Sequence, residues 1–418
     1  MGIAFPLTRR FESVKPVVME KPIFTGSFTQ QEPIPESGIA AAVEVLRHGR
    51  LHRYNVTEGE AGETALLEQE FANFTGAKYA LAVASGGYAM GCALRALGVG
   101  HGDKVLSNAF TLAPVPGAIA SVGADPIFVD ITPDLTIDFN DLMGKARASG
   151  AKVLLLSHMR GHICNMDRLM DICAQAKIAV IEDCAHTMGA AWDGVPSGRH
   201  GIIGCYSTQT YKHINSGEGG MLTTDDPDIM AKATVLSGSY MLFARHLAAP
   251  PVDRFEKVKY VTPNVSGRMD NLRAAILRPQ LAALPQQVVR WNTLYHTLES
   301  GVRNTPGLHI IERSAKETLV GSSFQFLLPT FPQDAIQHLI AACATRGVEL
   351  KWFGAQEPVA FTSRYDSWQY APMQCLPNTD AILAGLMDMR LPLTFSVDDC
   401  RVIAAIIRDE VITIHENL

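Results

Sequence analysis

The chain has 418 residues, of which 47% are hydrophobic and 19% charged, a balance typical of a folded globular protein with more than one small core. Its formal net charge is −6 at pH 7, which argues against a nucleic-acid-binding protein because such proteins normally present a basic surface. The eight cysteines are scattered without a CxxC pair, so we expect no metal site and, with no signal peptide recognised, a cytoplasmic location.

The first 36 residues are rich in proline and weakly periodic, so we expect them to form an N-terminal arm. Apolar periodicity then predicts helices over residues 37–48 and 63–74. From residue 79 onward, short apolar runs alternate with amphipathic segments. The runs cover residues 79–83, 104–107, 126–129, 153–156, 179–181 and 202–206, and the amphipathic segments cover residues 89–97, 138–148 and 166–177. This alternation predicts an α/β fold with a mostly parallel sheet covered by helices.

A long helical pattern over residues 271–299 ends the regular alternation of strands and helices. Short strand patterns follow at residues 308–311, 323–328 and 349–352, with a helical pattern near residues 332–345. These elements predict a smaller α+β domain at the C-terminal end. We therefore divide the chain into an arm (1–36), a large domain (37–280) and a small domain (281–418).

Three side chains follow predicted strands at the point where each strand ends. Asp183 and His186 come directly after one strand, and Lys212 comes after the next. Ligands of open α/β sheets bind beyond the carboxyl ends of the strands, where neighbouring strand ends share one crevice. Taken singly, each residue has a plainer explanation, since loop lysines are usually solvated, aspartates cap turns and histidines often serve structure.

Pyridoxal phosphate (PLP) chemistry requires a set of groups for which the sequence offers candidates. Lys212 is the candidate amine for the cofactor aldehyde, and Asp183 is the candidate carboxylate for the pyridine nitrogen. Gly86 and Gly87, after Ser85, open a predicted helix whose amides suit a phosphate. Phe110 is a candidate for the ring face, although a phenylalanine is more often part of the core.

Several segments, in order along the chain, resemble the DegT/DnrJ/EryC1/StrS sugar aminotransferase family, which belongs to the fold type I (aspartate aminotransferase) superfamily of PLP enzymes. The family pattern S-F-x-x-x-K-x-x-x-x-G-E-G-G is matched by residues 207–220, with Thr208 in place of Phe. The pattern E-D-x-A-[QH]-x-x-G-A is matched by residues 182–190, and S-G-T-x-A-L by residues 85–90, where Gly87 replaces Thr. The resemblance extends over about residues 38–415.

The resemblance implies roles for the residues around the cofactor ring. Lys212 would carry the Schiff base with PLP and, once released, move the proton between the substrate and the cofactor. Asp183 would pair with the pyridinium nitrogen, and His186 would lie near the ring hydroxyl. Phe110 would stack on the ring.

The resemblance also implies how the phosphate is held. Ser207 and the amides of Gly86 and Gly87 would bind it within one subunit. Ser266 stands where family members usually have an Asn that reaches the phosphate of the neighbouring subunit, and nearby Asn264 is an alternative for that contact. A homodimer with active sites at the subunit interface follows from this arrangement.

The function implied is amino transfer from glutamate or glutamine to a keto-sugar, a cyclitol ketone or a related small carbonyl compound. The alternatives are a family member with a different PLP chemistry and a non-catalytic regulatory member; the presence of both Lys212 and Asp183 argues against the second. A dehydrogenase would want G-x-G-x-x-G after its first strand, which residues 84–91 do not match. Residues 48–60 and 240–260 are the segments that we expect to face the substrate.

Overall fold

The computed structural model describes residues 21–360 and 362–418, so the first twenty residues of the predicted arm lie outside the described residues. The helices of the described part are α1 (Glu36–His48), α2 (Glu63–Thr75), α3 (Gly86–Ala96), α4 (Pro114–Ser121), α5 (Phe139–Ser149), α6 (Met166–Ala176), α7 (Pro227–Ser237), α8 (Asn271–Val302), α9 (Gln333–Thr345), α10 (Pro377–Ala384) and α11 (Val397–His415). Its strands are β1 (Tyr79–Val83), β2 (Lys104–Asn108), β3 (Asp125–Val129), β4 (Val153–Ser157), β5 (Ala179–Asp183), β6 (Ala191–Trp192), β7 (Val195–Pro196), β8 (Ile203–Ser207), β9 (Gly220–Thr224), β10 (His309–Ile310), β11 (Glu317–Thr318), β12 (Ser323–Leu327), β13 (Lys351–Trp352) and β14 (Leu386–Arg390).

A seven-stranded sheet organises the first two thirds of the chain, with strand order β1-β9-β8-β5-β4-β2-β3. Only β9 runs antiparallel to its two neighbours, and the other paired strands are parallel. Apolar side chains form separate clusters on the two faces of this sheet, one with α2, α5 and α6 and the other with α3, α4 and α7. The predicted α/β class with a mostly parallel, helix-covered sheet is therefore confirmed.

In the structure, four central strands extend at their carboxyl ends beyond the apolar runs from which they were predicted. The added residues are polar: β2 ends at Asn108, β4 at Ser157, β5 at Asp183 and β8 at Ser207. Because these strands are parallel, their polar ends lie at one edge of the sheet. This edge carries the candidate site.

A second sheet, with the antiparallel order β10-β12-β14-β13, forms the C-terminal part of the molecule and packs with α9 and α11. The rings of Phe24 and Phe28 lie edge-on against Phe395 in this core, with centroids 5.0 and 5.1 Å apart. The described part of the predicted arm is thus packed onto the C-terminal sheet. Helix α8 contacts α1, α2 and α11, and the domain division at residue 280 remains a prediction.

A third, small sheet joins β11, β6 and β7. It connects the segment that follows β5 to the segment that precedes β12, close to the ion pairs that Lys316 makes with Asp167 and Asp193 at 2.9 Å. None of the described helices combines the length and the apolar character needed to cross a bilayer.

Candidate active site

A cavity of about 480 Å³ opens at the carboxyl edge of the large sheet. It is bounded by the ends of β4, β5 and β8, the first turn of α3 and the last residue of β14. Six of the residues singled out from the sequence line it: Gly86, Gly87, Asp183, His186, Ser207 and Lys212. Residues that lie up to 126 positions apart in the chain therefore face one space, as the strand-end argument predicted.

Lys212 and His186 are in direct contact within this cavity. The Lys212 Nζ atom lies 2.8 Å from the His186 Nε2 atom. Desolvation lowers the pKa of Lys212 to about 7; Asp183 opposes this shift, and the positive charges of Arg160 and Arg390 add to it. Desolvation and the charge of Lys212 also hold the pKa of His186 well below its usual range. A neutral amine next to a neutral imidazole is the form suited to attack on a carbonyl carbon.

Asp183 is held by its own strand neighbours. Its carboxylate accepts a hydrogen bond from the Ser157 hydroxyl at 3.0 Å and another from the Ala185 amide at 3.1 Å. The Asn108 side-chain oxygen accepts a hydrogen bond from the Ser157 amide at 2.9 Å, which fixes the end of β4 beside the end of β2. Burial raises the pKa of Asp183, while the Ala185 amide and Lys212 favour its charged form. A buried carboxylate in this position is suited to a cationic partner in the cavity.

The first turn of α3 lines one end of the cavity, where its backbone amides are suited to an anion. The Ser85 hydroxyl caps this helix by accepting a hydrogen bond from the Tyr88 amide at 3.0 Å. The amides of Gly86 and Gly87 belong to the first turn, where helix geometry provides no carbonyl acceptor and the helix dipole favours an anion. Ser207, at the end of β8, adds a hydroxyl to the same wall.

Close backbone packing explains the glycines of both sequence patterns around this turn. A Cβ atom on Gly86 would come within 2.9 Å of the Ser207 Cβ atom. A Cβ atom on Gly220 would come within 2.4 Å of the Ser85 carbonyl carbon. The glycines therefore allow β8 and β9 to press against the turn that starts α3, which places Ser207 and the α3 amides together.

The structure does not bring Phe110 to the cavity, and the expectation of a ring contact from this residue is corrected. Phe110 is fully buried, and its ring packs edge-on against Phe353 with centroids 5.1 Å apart. Asn108 donates a hydrogen bond to the Phe110 carbonyl at 3.0 Å, which fixes the chain where it leaves β2. Leu112, two residues further on, lines the cavity instead.

Ser266 lies on the surface rather than in the wall of this cavity. It is exposed, with a left-handed φ of 54°, and its hydroxyl lies 3.3 Å from both the Asn264 side-chain oxygen and Arg268 Nη1. A role at the site of its own subunit is not supported by this position. The predicted contact with a neighbouring subunit stays a prediction.

The two segments expected to face the substrate are also absent from the described cavity wall, which contains no residue of 48–60 or 240–260. Their charges have partners elsewhere. Arg53 and Glu68 form a buried ion pair at 2.8 Å, and His246 lies 3.1 Å from the same carboxylate. This network ties both segments to β1, because the Glu68 carboxylate accepts a hydrogen bond from the Ala82 amide.

Several cavity residues escaped the sequence reading: Leu112, Ser157, Arg160, Gln209, Tyr211, Ser363 and Arg390. Ser157 is the polar residue that follows an apolar run, which is the same pattern that marks the other strand ends at the site. Arg160 lies in a short turn after β4, and Arg390 ends β14 more than 170 residues after Lys212 in the chain. Nothing local in the sequence links Arg390 to the large sheet.

His158, Glu182 and Cys184 are buried close together behind the cavity, within reach of a common metal ion. The Glu182 carboxylate, however, accepts hydrogen bonds from the amides of Gly198, His200 and Gly201 at 2.9, 2.8 and 2.6 Å. It also lies 3.0 Å from His158 Nε2. These contacts fill the carboxylate's acceptor positions, so we assign the cluster the structural task of fixing the backbone around Asp183.

The sheet topology, with a lysine and a carboxylate at neighbouring strand ends, defines a fold type I transferase. Residues 34–408 match the model of the DegT/DnrJ/EryC1/StrS aminotransferase family, and the chain belongs to this family. It is 34% identical over 234 residues to the GDP-perosamine synthase of Caulobacter vibrioides, a match that covers 54% of this chain and 59% of that protein. It is 31% identical over 261 residues to a UDP-2-acetamido-2-deoxy-3-oxo-D-glucuronate aminotransferase of Pseudomonas aeruginosa, covering 62% of this chain and 67% of that protein.

A crystal structure of an aminotransferase from Psychrobacter cryohalolentis shares the fold. It superimposes with a TM-score of 0.79 at 22% identity, over 93% of this chain and 100% of that chain. The sequence matches thus span about three fifths to two thirds of the two curated relatives, whereas the structural match spans nearly the whole of both chains.

Proposed function

We propose that the protein is a PLP-dependent aminotransferase that moves an amino group from glutamate or glutamine to a keto-sugar, a cyclitol ketone or a related small carbonyl compound. The observation that carries the proposal is the Lys212 amine, whose pKa is lowered to about 7 in a cavity that it shares with Asp183 and the α3 amides. Family membership and the name of the Pseudomonas aeruginosa relative, an aminotransferase, support the same class of reaction.

The residues of the cavity fit PLP by their chemistry. The amides of Gly86 and Gly87 and the Ser207 hydroxyl would hold the phosphate, and Asp183 would face the pyridine nitrogen. Leu112, which lines the cavity where Phe110 does not, is the side chain we assign to the ring face. When bound, PLP supplies an aldehyde carbon that reacts with amines and a ring that withdraws electrons from the substrate Cα atom.

The protein's own part in the reaction is to supply a neutral amine and to move a proton. Lys212 would take the proton from the substrate Cα atom and pass it to the cofactor, because its lowered pKa leaves a free electron pair near neutral pH. His186, 2.8 Å away, holds the amine in place without adding charge. The Asp183 carboxylate would face the pyridine nitrogen, and its negative charge would favour the protonated form of that nitrogen.

We also propose that two chains associate with their active sites at the shared interface. The loop that carries Ser266 presents apolar side chains to solvent, among them Tyr260 and Val261, which are 81% and 79% exposed. Large apolar side chains that lie close together and are exposed to solvent are typical of a protein–protein interface. In such a dimer, Ser266 or Asn264 would approach the phosphate of the partner.

A reducing compartment such as the cytoplasm is part of the proposal, because all eight cysteines are free and seven of them are buried. Burial raises the pKa of the Cys184 thiol well above its ordinary value, so this thiol stays protonated and unreactive. The thiols next to Asp183 therefore do not compete with Lys212 for an aldehyde.

The experiment is a donor screen on the purified protein loaded with PLP. Addition of L-glutamate or L-glutamine should bleach the visible absorption of the lysine-bound cofactor and release the matching 2-oxo acid. Lys152→Ala, which changes an exposed lysine, should behave like the wild type, and Lys212→Ala should not react. A protein that binds PLP yet forms no 2-oxo acid from any amino acid would favour the alternative of a different PLP chemistry.

A further inference from the structure

Two small recesses adjoin Lys212 in addition to the main cavity. The inner recess, of about 30 Å³, is lined by Lys212, His213, Trp291 and residues 322–323. The outer recess, of about 80 Å³, is lined by residues 31–35 of the arm and by the facing side of α8. Lys212 and His213 line both recesses, so the two spaces together form a path that leads away from the amine.

The outer recess reaches the surface beneath the arm. The arm residues Glu32, Pro33 and Pro35 line it and are exposed. Arg290 of α8 fastens the arm in this position, because it donates hydrogen bonds to both Glu32 carboxylate oxygens at 2.9 and 2.7 Å and to the Leu393 carbonyl at 3.0 Å. The path from the amine therefore ends at solvent.

His213 is a buried histidine with one nitrogen bonded and the other without a partner. It is 7% exposed, and its ring packs edge-on against Trp291 with centroids 5.2 Å apart. Its Nε2 atom lies 3.0 Å from the Ser322 hydroxyl, whereas its Nδ1 atom has no hydrogen-bond partner among the described residues. An unpaired buried polar atom costs on the order of 1–3 kcal/mol, and an ordered water is a common partner for such an atom.

The two recesses have the size and the polarity that water requires. An ordered water needs a space on the order of 10–15 Å³ and about three polar partners. Both recesses are larger than this. Polar side chains line them, among them His186 and Ser322 in the inner recess and Gln31 and Gln287 in the outer one. The path therefore suits a short chain of water molecules rather than an organic ligand.

The charge state of His213 suits contact with such water. Burial, followed by the charge of Lys212, lowers the pKa of His213 to about 3, so its imidazole is neutral near neutral pH. A neutral imidazole has one N–H donor and one acceptor nitrogen. His213 can therefore order a water molecule without placing a second cation beside the Lys212 amine.

We propose that the two recesses form a water passage through which Lys212 exchanges its proton with solvent, and that His213 is the positioning residue that orders this water. A proton leaves the Lys212 amine for the adjacent water, each water passes one of its own protons outward, and the last gives one proton to solvent. The net change is the movement of one proton, and no other bond is made or broken. The proposal rests on the proposed function, since it concerns the proton that Lys212 would take from the substrate.

The passage is separate from the part of the site that would hold the cofactor. Asp183 and the α3 amides do not belong to the described lining of either recess. Water in the recesses therefore remains in contact with Lys212 when the cofactor and the substrate fill the main cavity. Without such a path, a hydrogen taken up by the amine would be returned to the substrate or the cofactor before it could exchange.

The test follows a deuteron from the substrate Cα atom. The PLP-loaded protein is mixed in ordinary water with L-glutamate or L-glutamine deuterated at Cα, and the recovered amino acid is analysed by mass spectrometry. The wild type should lose the deuteron to solvent. His213→Phe keeps an aromatic ring beside Trp291 but orders no water, so it should raise the ratio of returned to lost deuterium about tenfold or more, the scale of one lost hydrogen bond. His338→Phe, at an exposed histidine, should match the wild type.

Ala283→Leu tests the passage without removing a polar group. Ala283 lines the outer recess, and a leucine there fills part of that space. This variant should also raise the ratio of returned to lost deuterium, whereas Ala282→Leu, at the exposed neighbouring position, should not. Equal ratios in the wild type, His213→Phe and Ala283→Leu would overturn the passage, as would a wild type whose substrates keep their deuterium.

A crystal structure of the wild type gives a second readout that needs no turnover. We expect an ordered water within hydrogen-bonding distance of His213 Nδ1, and recesses without ordered water would contradict the proposal. Borohydride trapping of PLP at Lys212 in the same variants separates the two claims, because trapping with an unchanged deuterium ratio means that the proposed function stands while the passage fails. A wild type that neither traps PLP nor exchanges deuterium means that the proposed function fails, and the crystal structure then decides whether the recesses hold water.

Discussion

Lys212 Nζ and His186 Nε2 lie 2.8 Å apart at the carboxyl ends of β8 and β5, and burial lowers the pKa of both groups. With a pKa of about 7, a substantial fraction of the Lys212 amine is uncharged near neutral pH, whereas a solvated lysine would be almost fully charged. Burial thus gives Lys212 the uncharged amine that its proposed role as a nucleophile requires, and in this proposal His186 contributes by position rather than by charge.

The first prediction concerns the pH dependence of cofactor capture by the cofactor-free protein. A protonated amine cannot attack an aldehyde, so with the pKa of Lys212 lowered to about 7 the rate should rise about tenfold per pH unit below 7 and level off above it. The growth of visible absorption after mixing with PLP measures this rate. Nα-acetyl-lysine amide is the control, because its ordinary pKa should make its rate rise beyond pH 9. A protein rate that also rises beyond pH 9 would contradict the lowered pKa.

The second prediction concerns Asp183. Asp183→Asn should leave PLP bound but slow the half-reaction with glutamate on the order of 10²-fold, the scale of losing one preorganised charge in a buried site. Ser157→Ala, which removes one hydrogen bond to the same carboxylate, should have a smaller effect of about tenfold. Stopped-flow absorbance gives both rates. Asp171→Asn, on the exposed side of α6, is the control, and an Asp183→Asn rate equal to that of this control would exclude the assigned role.

The third prediction separates Phe110 from Leu112. Phe110→Ala should lower the free energy of unfolding by about 3–5 kcal/mol, because it empties a packed site, and should leave PLP affinity unchanged. Leu112→Ala should change stability less but weaken PLP binding about tenfold, because it removes apolar contact with the ring. Denaturant unfolding and PLP titration measure the two properties. If Phe110→Ala weakened PLP binding and Leu112→Ala did not, the ring contact would be assigned to Phe110 instead.

The sequence located the sheet and most of the candidate site because both depend on local patterns. The apolar runs that mark β4, β5 and β8 also locate the strand ends, and Lys212 and Asp183 follow from them. The glycines could be recognised in the sequence as part of a pattern. Why glycine is required at Gly86 and Gly220 is shown only by their close packing against neighbouring segments. Hydrophobic periodicity and turn-forming residues can be recognised in a sequence without knowledge of the tertiary structure.

The remaining features of the candidate site depend on tertiary packing. Phe110 and Leu112 are both apolar residues just after β2, and only the direction of the chain beyond Asn108 determines which one meets the cavity. Arg390 reaches the site because β14 of the C-terminal sheet ends beside Tyr211, a contact between residues 179 positions apart. No pattern within one segment encodes such a contact, so Arg160 and Arg390 could not be predicted.

The fourth prediction concerns the proposed shared site. Ser266→Asp should weaken PLP binding in the partner subunit, because it brings a second negative charge toward the phosphate. Co-expression of this variant with Lys212→Ala should restore activity, since some mixed dimers then hold one intact site. Mixtures purified through two different affinity tags and assayed with glutamate measure the effect. Inactive mixed dimers, or a Ser266→Asp homodimer with normal PLP affinity, would argue against a shared site.

The central claim is that PLP is attached to Lys212, and borohydride trapping tests it most directly. The PLP-loaded protein is reduced with borohydride and digested, and the modified peptide is sequenced by mass spectrometry. We expect the cofactor on Lys212 in the wild type and in Lys152→Ala, and no modification of that peptide in Lys212→Ala. Trapping at another lysine, or equal trapping in Lys212→Ala, would contradict the account.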